Sequence, residues 1–297
     1  MSRKIHLKDV IIPAIDASFS LWEDTLLIDF LLLSEKSSSA QNQLSKLHSA
    51  LNHWGCFQVI NHGMTTSFLD ELLDDSRQKK LKCSIAEDFF NGYGNGAAIA
   101  GANWNDRLFL TVYPEDQRKL QVWPQKPQNF RQTLHEFCLS LRIMVEVILK
   151  AMARSLELTE DSFLNEHGEQ GTIDTRFGIY PPCSRPDEVY GVHPHSDRSS
   201  ITILLQDNDV SEGLHIQKKM INGSRFQSSL EHYLLILETL RKFSVAAFCT
   251  PEPENDVGPI NKLVSPKQPQ LFKKVNMKTY KQLFFETYPW ERGCLML

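Results

Sequence analysis

The chain has 297 residues, of which 41% are hydrophobic and 23% charged, and its 32 Lys and Arg against 36 Asp and Glu give a net charge of −4. This balance is typical of a globular protein and excludes a bulk polycationic nucleic-acid binder. The 14 Gly and 14 Pro residues are too few for a collagen-like or low-complexity chain. The length allows one large domain or two small ones, at roughly 100–200 residues per domain.

The cysteines indicate a reducing compartment. There are six, widely spaced and without a CxxC pair: Cys56, Cys83, Cys138, Cys183, Cys249 and Cys294. Free thiols that pack as small apolar residues are the simplest interpretation. The basic segment 1–7 leads into no apolar core of the signal-peptide type, and the apolar stretch 21–33 contains three acidic residues, which argues against a membrane span. We therefore expect a cytoplasmic protein with no membrane partner.

In chain order, the first half alternates helix and strand signals. Apolar residues recur at helical spacing in three segments, and two further segments are rich in aromatic and β-branched residues. Residues 92–105 are rich in Gly, Ala and Asn and are predicted to form a loop. The predicted helices cover 43–51, 65–81 and 129–156, and the predicted strands cover 54–60 and 107–113.

The second half consists mainly of short β-type runs separated by turn residues. These predicted strands cover 172–180, 200–206, 213–217 and 242–249, and a helix is predicted over 280–285. The pattern favours an α+β fold. We divide the chain into 1–158, a helical and strand region that packs on the core, and 159–297, a β-rich region, which together form one structural unit.

One short pattern suggests a metal site. His195 and Asp197 lie two residues apart at the start of the predicted strand over 200–206. In extended backbone such residues point to the same side, so both can approach one metal ion. Two His residues and one carboxylate on one face are typical of non-haem Fe(II) oxygenases. On its own the pattern is weak, because a polar turn entering a strand explains it more often. His193 lies on the same side by parity, but Pro194 stiffens the backbone there, so we rank His193 below His195.

A collinear series of longer motifs carries a resemblance to a known family. Residues 54–63 (WGCFQVINHG), 176–183 (RFGIYPPC) and 194–206 (PHSDRSSITILLQ) resemble, in order, the WGxFQVxNHG, RxNxYPPC and PHxDxxxxTILLQ stretches of plant 2-oxoglutarate- and Fe(II)-dependent dioxygenases, which are isopenicillin N synthase-like enzymes. FSVAAF at 243–248 and GP at 258–259 resemble the family's later strand and the residues that follow it. The similarity is strongest to enzymes that oxidise specialised metabolites or hormones.

The resemblance implies a fold, cofactors and a reaction. The fold is a distorted double-stranded β-helix, or jelly-roll, supported by helices from the N-terminal half, with 159–297 as the dioxygenase β-helix region. The cofactor is Fe(II), and 2-oxoglutarate and O2 are the co-substrates. The reaction couples decarboxylation of 2-oxoglutarate to the hydroxylation, desaturation or demethylation of a small organic molecule. The expected partner is this small-molecule substrate, with no nucleic acid and no membrane.

By resemblance, His195 and Asp197 match the first two iron ligands. The third ligand should be a distal His in a segment like NGxFKSxxHRV. Counting back from 243–245 places it on His232, whereas counting forward through the altered segment places it one residue earlier, on Glu231. We choose His232 because His is the expected ligand.

The 2-oxoglutarate residues are carried over in the same way. Tyr180 matches the tyrosine of the family's NxY motif, but Gly178 replaces the Asn. Ser244 matches the serine of the RxS motif, where an Arg normally grips the far carboxylate. Lys242 stands in register with that Arg and supplies charge without the guanidinium fork. Arg241 supplies the fork but should point to the other side of the strand.

The largest departure from the family is a gap. Lys219 runs directly into Met220, where the family has further strands, so the jelly-roll is expected to lack some core strands. This loss motivates an alternative, a catalytically impaired or non-catalytic relative that binds a metabolite or partner. A zinc hydrolase using His195, Asp197 and His232 is chemically allowed but has no supporting HExxH motif.

Overall fold

A computed structural model of the chain describes residues 26–77, 92–95, 104–181, 183, 190–192, 195–207, 233–239 and 243–287. The helices are α1 (Phe30–Leu33), α2 (Ser38–Trp54), α3 (Thr66–Arg77), α4 (Phe130–Ser155), α5 (Ser162–His167) and α6 (Met277–Thr287). The strands are β1 (Leu27–Asp29), β2 (Cys56–Ile60), β3 (Gly92–Asn95), β4 (Asp106–Tyr113), β5 (Thr172–Ile179), β6 (Ile201–Asp207), β7 (Tyr233–Thr239), β8 (Phe243–Thr250), β9 (Asp256–Val257) and β10 (Val275–Asn276).

Helix α4 is the longest element of the described chain, and it confirms the prediction of a helix over 129–156. Its apolar residues recur every three or four positions and form one buried stripe. Phe137, Leu141 and Ile148 on this stripe have no exposed surface. The stripe packs against the sheet and against α2, α3 and α5, so α4 lies at the centre of the packing between the helices and the sheet.

Helix α2 is fixed at both ends by its own sequence. The Ser37 hydroxyl accepts a hydrogen bond from the Ala40 N–H at 3.1 Å, which caps the first turn. Gly55 ends the helix with φ of 68°, a left-handed conformation that glycine adopts without steric cost. The chain then enters β2 at Cys56, so the predicted strand over 54–60 is confirmed from residue 56 onward, whereas Trp54 is the last residue of α2.

The main sheet has eight strands in the order β1-β2-β7-β6-β8-β5-β4-β3. The strands from β6 to β3 pair antiparallel, whereas β7 pairs parallel with both β6 and β2. Strands from both sides of residue 158 share this sheet. The short strands β9 and β10 form a separate antiparallel pair.

The two faces of the sheet differ in chemistry because successive side chains of a strand alternate between them. One face is apolar and packs in the core with α4: Leu108, Leu110, Val112, Ile173, Phe177, Ile201, Ile203, Leu205, Val245, Ala247 and Cys249. The opposite face, which we call the polar face, is formed by the alternate residues: Arg107, Phe109, Thr111, Asp174, Arg176, Gly178, Thr202, Leu204, Ser244, Ala246 and Phe248.

One predicted loop is a strand in the structure, and two other predictions lie outside the described residues. Residues 92–95 were predicted as part of a loop but form β3. A Gly-rich segment has little tendency to form a strand by itself, and here its antiparallel pairing with β4 stabilises the strand. The predicted strand over 213–217 and the junction of Lys219 with Met220 lie outside the described residues, so the absence of core strands stays a prediction. Among the helices of the described residues, none is long and apolar enough to cross a membrane.

Candidate metal and co-substrate site

His195 and Asp197 lie together beside the first residues of β6. The His195 Nε2 atom is 3.2 Å from the Asp197 Oδ1 atom, and the two side chains are 27% and 14% exposed. Two ligands on metal bonds of about 2.1 Å at a right angle would be about 3.0 Å apart. An imidazole nitrogen and a carboxylate oxygen at this separation therefore fit adjacent positions on one Fe(II) ion.

Thr202 fixes the second oxygen of Asp197. Its hydroxyl donates a hydrogen bond of 2.6 Å to Asp197 Oδ2, and the Ser199 and Thr202 hydroxyls are 2.9 Å apart. Asp197 Oδ1 is thereby directed toward His195. The sequence did not single out Thr202, although the alternation of side chains along β6 places it on the polar face. It lies close to His195 and Asp197, the pair that we call the metal motif.

The third predicted ligand, His232, lies outside the described residues, as do Lys242 and Arg241. Within the described part of the chain, no group of three or more His, Cys, Asp or Glu side chains is placed to hold a metal ion. The structure thus brings together two of the three predicted ligands, and the role of His232 stays a prediction.

Tyr180 and Ser244 converge at the other end of the polar face. Their hydroxyl oxygens are 3.5 Å apart, and Tyr180 is 39% exposed. A Cβ atom on Gly178 would lie 2.7 Å from Ser244 Oγ and 3.1 Å from Tyr180 Oη. An Asn at this position would therefore displace the Ser244 side chain. The close approach of the Tyr180 and Ser244 hydroxyls thus requires a residue without a side chain at position 178.

A buried ion pair lies next to the metal motif. Arg198 Nη2 donates to Asp174 Oδ2 at 3.2 Å, and the Thr111 hydroxyl donates to Asp174 Oδ1 at 2.8 Å. Burial raises the pKa of the Asp174 carboxyl, while Arg198 and Thr111 act in the opposite direction. The pair anchors residue 198, one position after Asp197, to the middle of β5.

Trp104 and Asn105, the two residues just before β4, make hydrogen bonds to the chain segment that leads to His195. The Trp104 N–H donates to Tyr190 O at 2.8 Å, and its indole N–H donates to Pro181 O at 3.0 Å. The Asn105 amide donates to Gly191 O at 2.5 Å and accepts a hydrogen bond of 3.1 Å from Arg176 Nη2. The chain is thus fixed on both sides of the stretch between Pro181 and Tyr190.

Two family models match parts of this chain. Residues 27–127 match the model of the N-terminal region of the non-haem dioxygenases in morphine synthesis, and residues 159–238 match that of the 2OG-Fe(II) oxygenase superfamily. Codeine O-demethylase from Papaver somniferum is 31% identical, with a match that covers 82% of this chain and 76% of that enzyme. Oxoglutarate-dependent flavonoid 7-O-demethylase 1 from Ocimum basilicum is 30% identical over 82% of this chain and 73% of its own length.

A solved structure shares the fold. The crystal structure of JOX2 in complex with 2OG, Fe and JA superposes with a TM-score of 0.68 at 23% identity, covering 86% of this chain and 83% of that one. The fold is that of the jelly-roll oxygenases, with helices and a mainly antiparallel sheet. The chain is a 2-oxoglutarate-dependent dioxygenase by class, and the cofactors of this class are Fe(II), 2-oxoglutarate and O2. It belongs to the plant 2-oxoglutarate- and Fe(II)-dependent dioxygenase family, which confirms the resemblance seen in its motifs.

Proposed function

We propose that this dioxygenase oxidises a small organic plant metabolite, either a specialised metabolite or a hormone, by hydroxylation, desaturation or demethylation. The observation that carries the proposal is the 3.2 Å approach of His195 Nε2 to Asp197 Oδ1 on the same face as Tyr180 and Ser244. Two of the relatives, a codeine O-demethylase and a flavonoid 7-O-demethylase, act on small organic molecules of plants, which supports a substrate of this kind.

In this proposal His195 and Asp197 bind Fe(II), and His232 supplies the third ligand. Thr202 is a positioning residue, because its hydrogen bond to Asp197 Oδ2 leaves Oδ1 to the metal. When bound, the iron supplies the coupled oxidation of 2-oxoglutarate and substrate by O2. The chain itself supplies orientation and a site shielded from water.

The 2-oxoglutarate would be held at the Tyr180 end of the polar face. The hydroxyls of Tyr180 and Ser244 donate hydrogen bonds to a carboxylate there, and Lys242 or Arg241 supplies the positive charge. Lys provides a point charge and Arg a two-pronged fork, so the two cations would hold the carboxylate differently. A cytoplasmic location also stays part of the proposal.

The test is an anaerobic titration of the purified protein with Fe(II) and then 2-oxoglutarate. We expect the weak visible charge-transfer band of the ternary complex in the wild-type protein and its loss in His195→Gln. His53→Gln is the matched control, because His53 is exposed on α2 and far along the chain from the motif. A folded wild-type protein that gives no band would contradict the proposal.

A catalytically impaired relative is the second candidate, and Gly178 is the observation that favours it. The space that an Asn side chain would need is occupied by Ser244 Oγ, so one expected hydrogen bond to the co-substrate is missing. This candidate predicts binding without conversion of 2-oxoglutarate. Measurable release of succinate under aerobic conditions would rule it out.

A further inference from the structure

Arg198 directly follows the proposed ligand Asp197, and its side chain is buried. That side chain is 3% exposed, and its Nη2 atom lies 3.2 Å from Asp174 Oδ2. The other oxygen of Asp174 accepts the hydrogen bond from Thr111 at 2.8 Å. Replacing a buried ion pair by apolar residues of similar volume is often neutral or stabilising, so stability alone does not account for this pair. Its place beside the metal motif points to an electrostatic role.

The positive end of the pair is nearer to Asp197 than the negative end is. Asp174 of β5 is paired with Phe248 of β8, which is paired in turn with Thr202 of β6. Because neighbouring strands lie about 4.8 Å apart, the backbone of Asp174 is about 10 Å from that of Thr202, whose hydroxyl holds Asp197. Arg198 adjoins Asp197 in the chain and reaches across this gap to Asp174.

The charges that act on Arg198 agree with this arrangement. Burial lowers the pKa of its guanidinium, and the negative charges of Asp174 and Asp197 act to raise it. The positive charges that act on Asp174 are those of Arg198 and of Lys281 on α6. Arg198 thus interacts with the proposed ligand as well as with its own ion-pair partner.

The chain around Arg198 is fixed in position. The Ser199 hydroxyl is 2.9 Å from the Thr202 hydroxyl. The backbone N–H and the hydroxyl of Ser200 both donate to Cys249 O on β8, at 3.0 and 2.9 Å. With these contacts on one side and Asp174 on the other, the guanidinium is oriented before any metal binds.

A fixed positive charge favours Fe(II) over Fe(III) at a nearby metal site. The ferric ion carries one more positive charge, so its repulsion by a neighbouring cation is stronger. Net charge and burial around a metal centre are two of the means by which a protein sets its reduction potential. Arg198 supplies both, because it is a cation inside the protein.

We propose that Arg198, oriented by Asp174, stabilises the Fe(II) state over the Fe(III) state and so keeps the iron in the form that the reaction uses. The inference rests on the proposed function, since it takes His195 and Asp197 as iron ligands. Arg198 does not touch the metal in this proposal. It acts through the Asp197 carboxylate and through its electric field.

The experiment measures the reduction potential of the iron-loaded protein in a mediated anaerobic titration. The potential gives the ratio of Fe(III) to Fe(II) affinity, and a tenfold change in this ratio is about 59 mV for one electron. Arg198→Gln should raise the ratio about tenfold, because the cation is lost. Asp174→Asn should lower it by at least about threefold, because the opposing anion is lost. Arg198→Lys should stay within about threefold of wild type, because it keeps the charge.

The opposite signs separate this role from a purely structural one, which would weaken the binding of both iron states without changing their ratio. Circular dichroism checks that each variant is folded. If Arg198→Gln does not fold, the double variant Arg198→Gln/Asp174→Asn, which buries no charge at either position, is compared with Asp174→Asn. The double variant should have the higher ratio, again by about tenfold.

Arg142→Gln is the matched control. It removes one positive charge from an exposed position on α4, which packs on the apolar face of the sheet, and it should leave the ratio unchanged. Equal ratios in all variants, or shifts of the same sign in Arg198→Gln and Asp174→Asn, overturn the inference and leave the iron site intact. A folded wild-type protein that binds no Fe(II) overturns the proposed function together with this inference.

Discussion

In the proposed iron site, the hydrogen bond from Thr202 decides which oxygen of the Asp197 carboxylate faces the metal. Thr202→Val keeps the shape of the side chain but removes the 2.6 Å hydrogen bond to Asp197 Oδ2. Loss of such an outer partner typically costs about 10–100-fold in metal affinity. We expect this loss when Fe(II) or Mn(II) binding is measured by calorimetry.

Thr202→Ser is the matched control, because it restores the hydroxyl. Its metal affinity should stay within about threefold of the wild-type value, given that the donor is retained. Equal affinities for the Val and Ser variants would show that Thr202 does not position Asp197.

His167 makes stability depend on pH. Its ring is buried, its Nδ1 atom is 3.3 Å from Ser200 Oγ, and burial lowers its pKa to about 4 from the ordinary 6.5. Between these two values the unfolded chain binds the proton and the folded chain does not. Stability is therefore present in full above about pH 6.5 and falls as the pH drops toward 4, by up to about 3 kcal/mol.

The check is the free energy of unfolding in urea at several pH values between 4 and 7. His167→Gln should flatten the slope over this window, because the titrating group is gone. His53→Gln, at an exposed site, should keep the wild-type slope. An unchanged slope in His167→Gln would contradict the buried neutral state.

Single residues were predictable where they form a local pattern. His195 and Asp197 are two apart shortly before β6, and their spacing predicted that both side chains point to one side; in the structure His195 Nε2 lies 3.2 Å from Asp197 Oδ1. The roles of Thr202, Asn105 and Arg176 depend on hydrogen bonds that join distant segments, such as the 3.1 Å contact from Arg176 to Asn105 across 71 positions. No local spacing contains that information.

At the scale of elements, substitutions in α4 measure how much burial in the core contributes to the free energy of unfolding. Leu141 has no exposed surface, whereas Leu139, two positions earlier on the same helix, is 43% exposed. Leu141→Ala should lower the free energy of unfolding by about 2–5 kcal/mol, because it removes buried apolar atoms and leaves a cavity. Leu139→Ala should change it by less than about 0.5 kcal/mol.

Both values come from chemical denaturation of the same pair of variants. Because the two substitutions delete the same atoms and share any change in helix propensity, the difference between them isolates burial. Similar losses for the two variants would mean that α4 does not pack as described.

Helices and strands with a strong hydrophobic pattern were predicted well. Strands that form only by pairing with a neighbouring strand were not predicted. The apolar stripe of α4 and the runs of β5, β6 and β8 each carry their own signal. Strand β3 carries none, since its GYGN sequence forms a strand only through its partner β4. The predicted bounds of α4 agree with the structure to within one residue at each end, whereas α2 begins at Ser38, before the predicted start at residue 43.

At the scale of the whole molecule, the order of the strands was not predictable from local patterns. Strand β7 lies between β2 and β6, so a segment from the first half of the chain and one from the second become neighbours. The family resemblance predicted a jelly-roll, and the shared fold confirms that class. The expected loss of core strands after Lys219 stays a prediction.

The hydrogen bonds of Trp104 and Asn105 also bear on how such an enzyme changes over evolution. They hold Pro181 at the end of β5 and residues 190 and 191 just before the metal motif. The length and composition of the connection between these points can then vary while His195 keeps its place, because lengthening a chain segment whose two ends are fixed costs little free energy. A connection of this kind can acquire new substrate contacts by insertion or exchange while the chemistry beside it is preserved.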